Sequence, residues 1–302
     1  MHLLVIGLGY TGIAIAGGAA AMGWRVTATS RTPDALRPPL GVTLVAFGAA
    51  GAVLPAVTHV VQTAAPTDLG DPALLRFGPA LAAAPLRWAG YLSTTGVYGD
   101  RNGEWVDEDT AVAPTADRAR RRVAAEEAWV ATLPHAAVDL FRLAGIYGPG
   151  RSAFDEMRAG RARRVVKPGH MFGRIHRDDI AAAVLAAAAQ FQAGTNGPSA
   201  TGRRVLNLTD DEPASSADVT AEAARLLGMA PPPLVEFADA LPGMSEMGRS
   251  FWSEHRRVRS VLTQERLGLR WRYPTYREGL RAILQQELAE GKAQQQEVRG
   301  PR

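Results

Sequence analysis

At 302 residues, with 46% apolar side chains and no cysteine, the chain can bury a sizeable core without disulfides, and thiolate metal sites and cysteine nucleophiles are excluded. Its formal charge of +4 comes from 32 arginines and two lysines, Lys167 and Lys292, against 30 acidic residues, spread over most of the length with no nucleic-acid signature. Apolar stretches such as 180–189 are alanine-rich and far too short to cross a bilayer, so no membrane segment is expected.

The first apolar run, His2-Leu3-Leu4-Val5-Ile6, has no basic leader before it, so no secretory signal and a cytoplasmic location are expected. A glycine turn follows, then a small-residue helix predicted over about 13–22. Further strands are predicted near 25–29, 42–46, 58–63, 87–93 and 137–142, separated by helix-length segments; a helix over 179–191 and a strand over 204–208 resume the pattern. This rhythm predicts an α/β fold, a Rossmann-like doubly wound parallel sheet. Two excursions interrupt it. The second holds a helix near 216–227, a proline break at 231–233 and a helix from about Tyr276. The expected division is a dinucleotide-binding core of 1–147 plus 175–213, a smaller interleaved substrate lobe of 148–174 plus 214–288, and a disordered tail over 289–302, where periodicity ends.

The strongest local signal is Gly7-Leu8-Gly9-Tyr10-Thr11-Gly12 between the first strand and the first helix. In that setting Gly7 makes the tight turn, Gly9 admits a pyrophosphate to the backbone, Gly12 allows close helix packing, and the helix-end amides of Tyr10 and Thr11 face the phosphates. An NAD site commonly places a carboxylate about 20 residues further on, at the end of the second strand, to accept from the ribose 2′-hydroxyl. Here that place holds Ser30-Arg31. A hydroxyl and a guanidinium suit a 2′-phosphate that a carboxylate would repel, so the expected cofactor is NADP(H) ahead of NAD(H). The competing reading leaves Arg31 pointing into solvent. The basic cluster Arg158, Arg161, Arg163 and Arg164 reads either as a solvated helix end or as a site for an anionic substrate.

Further segments resemble the extended short-chain dehydrogenase/reductase family, also called the NAD-dependent epimerase/dehydratase family. They are Thr63-Ala64-Ala65-Pro66, Leu92-Ser93-Thr94-Thr95-Gly96-Val97-Tyr98-Gly99, Phe141-Arg142-Leu143-Ala144-Gly145-Ile146-Tyr147-Gly148-Pro149-Gly150, Ile175-His176-Arg177-Asp178-Asp179-Ile180 and Asn207-Leu208-Thr209-Asp210-Asp211-Glu212-Pro213. The resemblance runs to about residue 285. It implies that Ala64 and Ala65 line the adenine and ribose side of the cofactor and that Thr94 polarises the substrate oxygen; Thr94 also reads as a strand-end threonine bonding its own backbone. It implies a homodimer as the usual assembly.

Family members use a tyrosine as acid/base and a lysine four residues later that holds the nicotinamide ribose. By the resemblance those places, ahead of Glu126, hold Arg118 and Arg122. Neither lysine restores the pair: Arg163 stands four residues before Lys167 and Leu288 four before Lys292. The chain resembles an atypical subgroup without the tyrosine. Arg122 can still hold ribose hydroxyls but cannot exchange a proton at neutral pH; Arg118 can clamp an anionic group, or lie on the surface of the run Arg118-Ala119-Arg120-Arg121-Arg122. Tyr98, Tyr147, His170 and His176 are the candidate substitute proton donors, the tyrosines reading equally as packed side chains and His176 as a structural histidine beside a helix cap at Asp178. The lobe residues Trp252, Arg256, Arg257 and Arg259 are candidates for substrate contact. No metal-site spacing is present. Two functions remain open: an NADP(H)-dependent oxidoreductase, epimerase or dehydratase acting on a small polar or anionic metabolite, and a catalytically weak or inactive NADP(H)-binding sensor or interaction module.

Overall fold

The computed structural model describes residues 1–192 and 201–299. Seven strands, β1 (His2–Ile6), β2 (Arg25–Ser30), β3 (Val42–Ala46), β4 (His59–Gln62), β5 (Trp88–Thr94), β6 (Ala137–Leu143) and β7 (Gly202–Leu208), form one sheet in the order β7-β6-β5-β4-β1-β2-β3. Every pairing is parallel, with Leu3 opposite both Val26 and His59. The chain reverses direction across the sheet between β1 and β4, and at such a switch point the strands' carboxyl ends part to leave a crevice. β1 and β6 are buried along their whole length, as a sheet covered on both faces requires.

One face carries α1 (Tyr10–Ala21) and α5 (Arg177–Ala189), the other α2 (Pro72–Ala83) and α3 (Asp117–Thr132). Small residues set the α1 to α5 spacing: a Cβ on Gly18 would fall 2.7 Å from Leu185 Cδ1. On the other face Trp129 is fully buried with Leu81 and Leu140, each such side chain contributing about 1.5–3 kcal/mol by leaving water.

The excursions add α4 (Ala153–Arg158), α6 (Ser216–Leu226), α7 (Phe237–Ala240), α8 (Glu246–Trp252) and α10 (Tyr276–Arg299), while α9 (Val261–Leu267) lies beside β7. Phe154, Met157, Ala223, Tyr276, Leu280 and Ile283 bind α4, α6 and α10 into one apolar cluster. A two-strand ladder, Arg164–Val166 with Leu234–Glu236, supports a second around Val165, Ala240 and Trp252. No helix among the described residues is long and apolar enough to cross a membrane.

Three boundaries differ from the sequence expectation. α1 begins at Tyr10, not near residue 13, because the turn consumes only Gly7 to Gly9 and puts Tyr10, Thr11 and Gly12 in the first helical turn. α10 continues to Arg299, where a disordered tail was expected over 289–302: its Tyr276, Leu280 and Ile283 stripe anchors the start, and an Ala, Glu, Lys and Gln-rich continuation propagates helix readily. Residues 300–302 lie outside the described chain. The residue capping α5 is His176, whose ring Nδ1 accepts from the Asp178 amide at 3.2 Å, in place of the expected cap at Asp178.

Candidate functional site

The chain leaves β1 through Gly7 at φ +99°, a left-handed backbone that side chains resist. A Cβ there would sit 2.6 Å from Thr63 Oγ1, and the Thr63 hydroxyl donates to the Gly7 carbonyl at 2.6 Å, which ties the end of β4 to the turn. A Cβ on Gly12 would fall 2.2 Å from the Gly7 carbonyl oxygen, so helix and turn touch through backbone alone; one on Gly9 would meet open space. Gly9 caps α1 without a side-chain acceptor, and the first turn holds no acid. The amides at the head of α1 therefore point out with no side-chain partner, which fits a phosphate group.

Beside it, β2 ends at Ser30, whose hydroxyl accepts from the Thr32 amide at 3.0 Å. Arg31 is exposed and makes no hydrogen bond or ion pair with a described residue. The first carboxylate after β2 is Asp34, in a short helical turn over Pro33–Ala35. Ala64 is half-buried and Ala65 exposed just past β4.

A cavity of about 570 Å³ opens at the switch point and brings Thr11, Thr63, Thr94, Arg118 and Arg122 into one wall; Gly7, Gly9, Tyr10, Gly12, Ser30, Arg31, Ala64 and Ala65 are not part of its lining. Thr94 ends β5 and accepts from the Gly96 amide at 3.1 Å, capping the turn over Thr95–Tyr98. The backbone-bonding reading thus holds for Thr94 while the residue still borders the cavity. Arg122 donates to the Leu92 carbonyl at 2.6 Å and to the Tyr91 hydroxyl at 3.2 Å. Arg118, one turn earlier on the same face of α3, stacks its guanidinium 4.3 Å over the Phe251 ring. One turn later, buried Glu126 accepts from Ser93 at 2.5 Å and from Arg142 through both oxygens, an arrangement that fixes α3 against β5 and β6.

None of the four substitute proton donors lines this cavity. Tyr98 is fully buried, donates to Asn207 Oδ1 at 2.7 Å and has its pKa raised by burial. Tyr147 borders an adjoining cavity of about 510 Å³, its hydroxyl also held far from ionisation by burial. Burial lowers the pKa of both His170 and His176 to about 4; His170 lies stacked between Trp252 and His255. Of the lobe candidates, Trp252 and Arg256 reach the cavity. Arg257 pairs along a short ladder with Trp105, and Arg259 stacks on that tryptophan at another surface. In the basic cluster Arg158 and Arg161 pair with Glu287 and Glu156, Arg164 donates to the Pro232 carbonyl, and Arg163 borders the adjoining cavity.

The structure adds Phe251, Glu254, Arg151 and Arg174 to the wall. Glu254 is the one carboxylate among the residues lining the cavity; Arg256 donates to it at 2.6 Å, and Thr115 also bonds it. Nothing local marks Phe251 or Glu254 in sequence, since they reach the cavity only through the folding of the lobe back over the sheet.

No protein-family model matches the sequence. A conserved protein of unknown function from Silicibacter pomeroyi is 44% identical and has a solved structure with a TM-score of 0.82, over 93% of this chain and 97% of that one. A candidate NAD-dependent epimerase/dehydratase from Methylobacillus flagellatus is 26% identical, with a TM-score of 0.71 over 95% and 98% of the two chains. Protein YeeZ of Escherichia coli K12 is 26% identical over 300 residues, covering 89% of this chain and 95% of its own. With the glycine turn at the sheet's switch point and a near full-length likeness to a chain so described, the protein has the fold of the extended short-chain dehydrogenase/reductase, or NAD-dependent epimerase/dehydratase, family, and its structural neighbours are members of that family.

Proposed function

We propose that the protein is an NADP(H)-dependent enzyme of the oxidoreductase, epimerase or dehydratase type, acting on a small polar or anionic metabolite by a route other than the family's tyrosine. The observation that carries this reading is the meeting of Thr11 on α1 with Thr94, Arg118 and Arg122 in one cavity, beside a β2 end that offers Ser30 and Arg31 in place of a carboxylate. Gly7, Gly9, Tyr10, Thr11 and Gly12 hold the diphosphate, Ser30 and Arg31 the 2′-phosphate, and Ala64 and Ala65 the adenosine side. When bound, the nicotinamide supplies hydride exchange. Arg122 keeps donors beyond its bonds to Leu92 and Tyr91 for ribose hydroxyls, and a guanidinium is a donor only. Thr94 polarises the reacting oxygen, and a side chain of the lobe or a water supplies the proton.

Isothermal titration with NADPH and NADH tests the cofactor reading. NADPH is expected to bind at least about tenfold more tightly, and Arg31→Ala to lose about that factor for NADPH alone, the ordinary size of one charge-assisted contact. Equal affinities contradict the NADP(H) preference; no binding of either removes the reading.

The missing tyrosine and lysine favour a second function, a weak or inactive NADP(H) sensor. NADPH consumption with a panel of sugars, ketones and imines separates the two. Tight cofactor binding without turnover above background supports the sensor.

A further inference from the structure

Five arginines, Arg118, Arg122, Arg151, Arg174 and Arg256, reach the cavity wall against the single carboxylate of Glu254. Three of them are held by hydrogen bonds. Arg122 is bonded to Leu92 and Tyr91, Arg174 donates to the carbonyls of Phe172 and Ala214 at 2.9 Å, and Arg256 is tied to Glu254 and the Gly99 carbonyl. The Arg151 guanidinium also has no hydrogen bond or ion pair among the described residues, but it lies over the ring of Tyr10 at the head of α1, the phosphate end of the groove. Arg118 alone stands beside the reacting end with its donors unspent: among the described residues it has no hydrogen bond and no ion pair, only the stack on Phe251.

That stack decides what Arg118 presents. A guanidinium held over an aromatic ring spends no N–H donor on a hydrogen-bond acceptor and keeps a fork that matches two oxygens of one anionic group. Phe251 supplies the platform from α8 of the lobe, and its ring is half exposed, at 50%, despite its size. The nearby carboxylate is no competitor, because Arg256 and Thr115 already hold Glu254. A neutral ligand would leave the excess positive charge of this wall uncompensated as water is displaced; an anion offsets it.

We infer that Arg118 and Phe251 form a receptor for an oxyanion head group, so that the substrate is a small organic acid bearing a carboxylate or a phosphate. The inference rests on the reading of this cavity as the substrate cleft. It makes Arg118, in the place of the family's proton donor, a binding group for the substrate's charged end.

Calorimetric titration of the NADPH-saturated protein with malonate, glycerol phosphate and the neutral malonamide tests it. At least one acid is expected to bind and malonamide not to, the tighter acid distinguishing carboxylate from phosphate. Arg118→Ala is expected to lose about tenfold or more in acid affinity, with Arg118→Lys between, because an ammonium keeps the charge without the fork. Thermal melting of both variants checks folding. Binding of neither acid, equal binding of malonamide, or undiminished acid binding by folded Arg118→Ala overturns the inference. Should NADPH itself fail to bind, the cofactor reading falls, and the same titrations on the free protein still decide the anion site.

Discussion

Single residues at the glycine turn separate folding from binding. The Cβ of Gly9 would enter open space and its backbone is extended, whereas that of Gly12 would press on the Gly7 carbonyl at 2.2 Å. Gly9→Val is therefore expected to melt within a few degrees of wild type yet bind NADPH at least about tenfold more weakly, by crowding the phosphate approach. Gly12→Val is expected to lose both, since no side-chain rotation relieves a clash with backbone. Melting and titration on the two variants check this; parallel behaviour contradicts it. The turn and the close approach at Gly12 were legible in sequence because they are local, set by a strand, a turn and a helix within a dozen residues. Glu254 and Phe251 were not, because their places depend on packing between segments more than a hundred residues apart.

At the scale of elements, α3 is held by a polar anchor in an otherwise apolar face. Glu126 and Arg142 have side chains only 4% and 7% exposed, joined at 2.8 Å, with Ser93 on the same carboxylate. Removing one partner leaves the other buried and uncompensated, a cost of about 3–5 kcal/mol. Arg142→Met is expected to lower the denaturation free energy by about that amount and, by loosening α3, to weaken cofactor binding through Arg122. Urea unfolding followed by NADPH titration checks it, and a loss below about 1 kcal/mol contradicts the anchor. The sequence aligned Glu126 with the family's helical glutamate but gave no partner for it, since Arg142 and Ser93 arrive on two other strands. α10 shows the converse: its apolar stripe at Tyr276, Leu280 and Ile283 was readable, but not the continuation of helix to Arg299 beyond the packed turns.

Across the whole molecule, two opposed sets of buried groups govern the response to pH. Burial lowers the pKa of His59, His170 and His176 to about 4. The unfolded chain takes up those protons first, so their contribution is complete above about 6.5 and is lost as pH falls toward 4. Burial raises Asp179 to about 6, and Asp210 well above its ordinary 3.8. Their contribution is present below the ordinary carboxylate range and is lost as pH rises through the folded pKa. Asp210 is 1% exposed and neither side-chain oxygen has a hydrogen-bond partner. The melting temperature of Asp210→Asn is thus expected to shift upward relative to wild type as pH rises from about 4, because only the wild type meets the growing cost of a buried carboxylate. A difference that does not change with pH contradicts this account.

The sequence by itself determined the doubly wound sheet, the nucleotide turn and the lack of a tyrosine-lysine pair, because strand and helix periods, glycine placement and residue identity are local properties. It also marked Thr94, Arg118 and Arg122 as candidates. Tertiary structure decided which candidates meet: it placed those three in one cavity, kept Tyr98, Tyr147, His170 and His176 out of its wall, and brought Phe251 and Glu254 in from the lobe. The physical reason is that a cavity wall is assembled from distant segments whose approach is set by apolar packing on both sides of the sheet, so its charge and its donors exist only after that packing has formed.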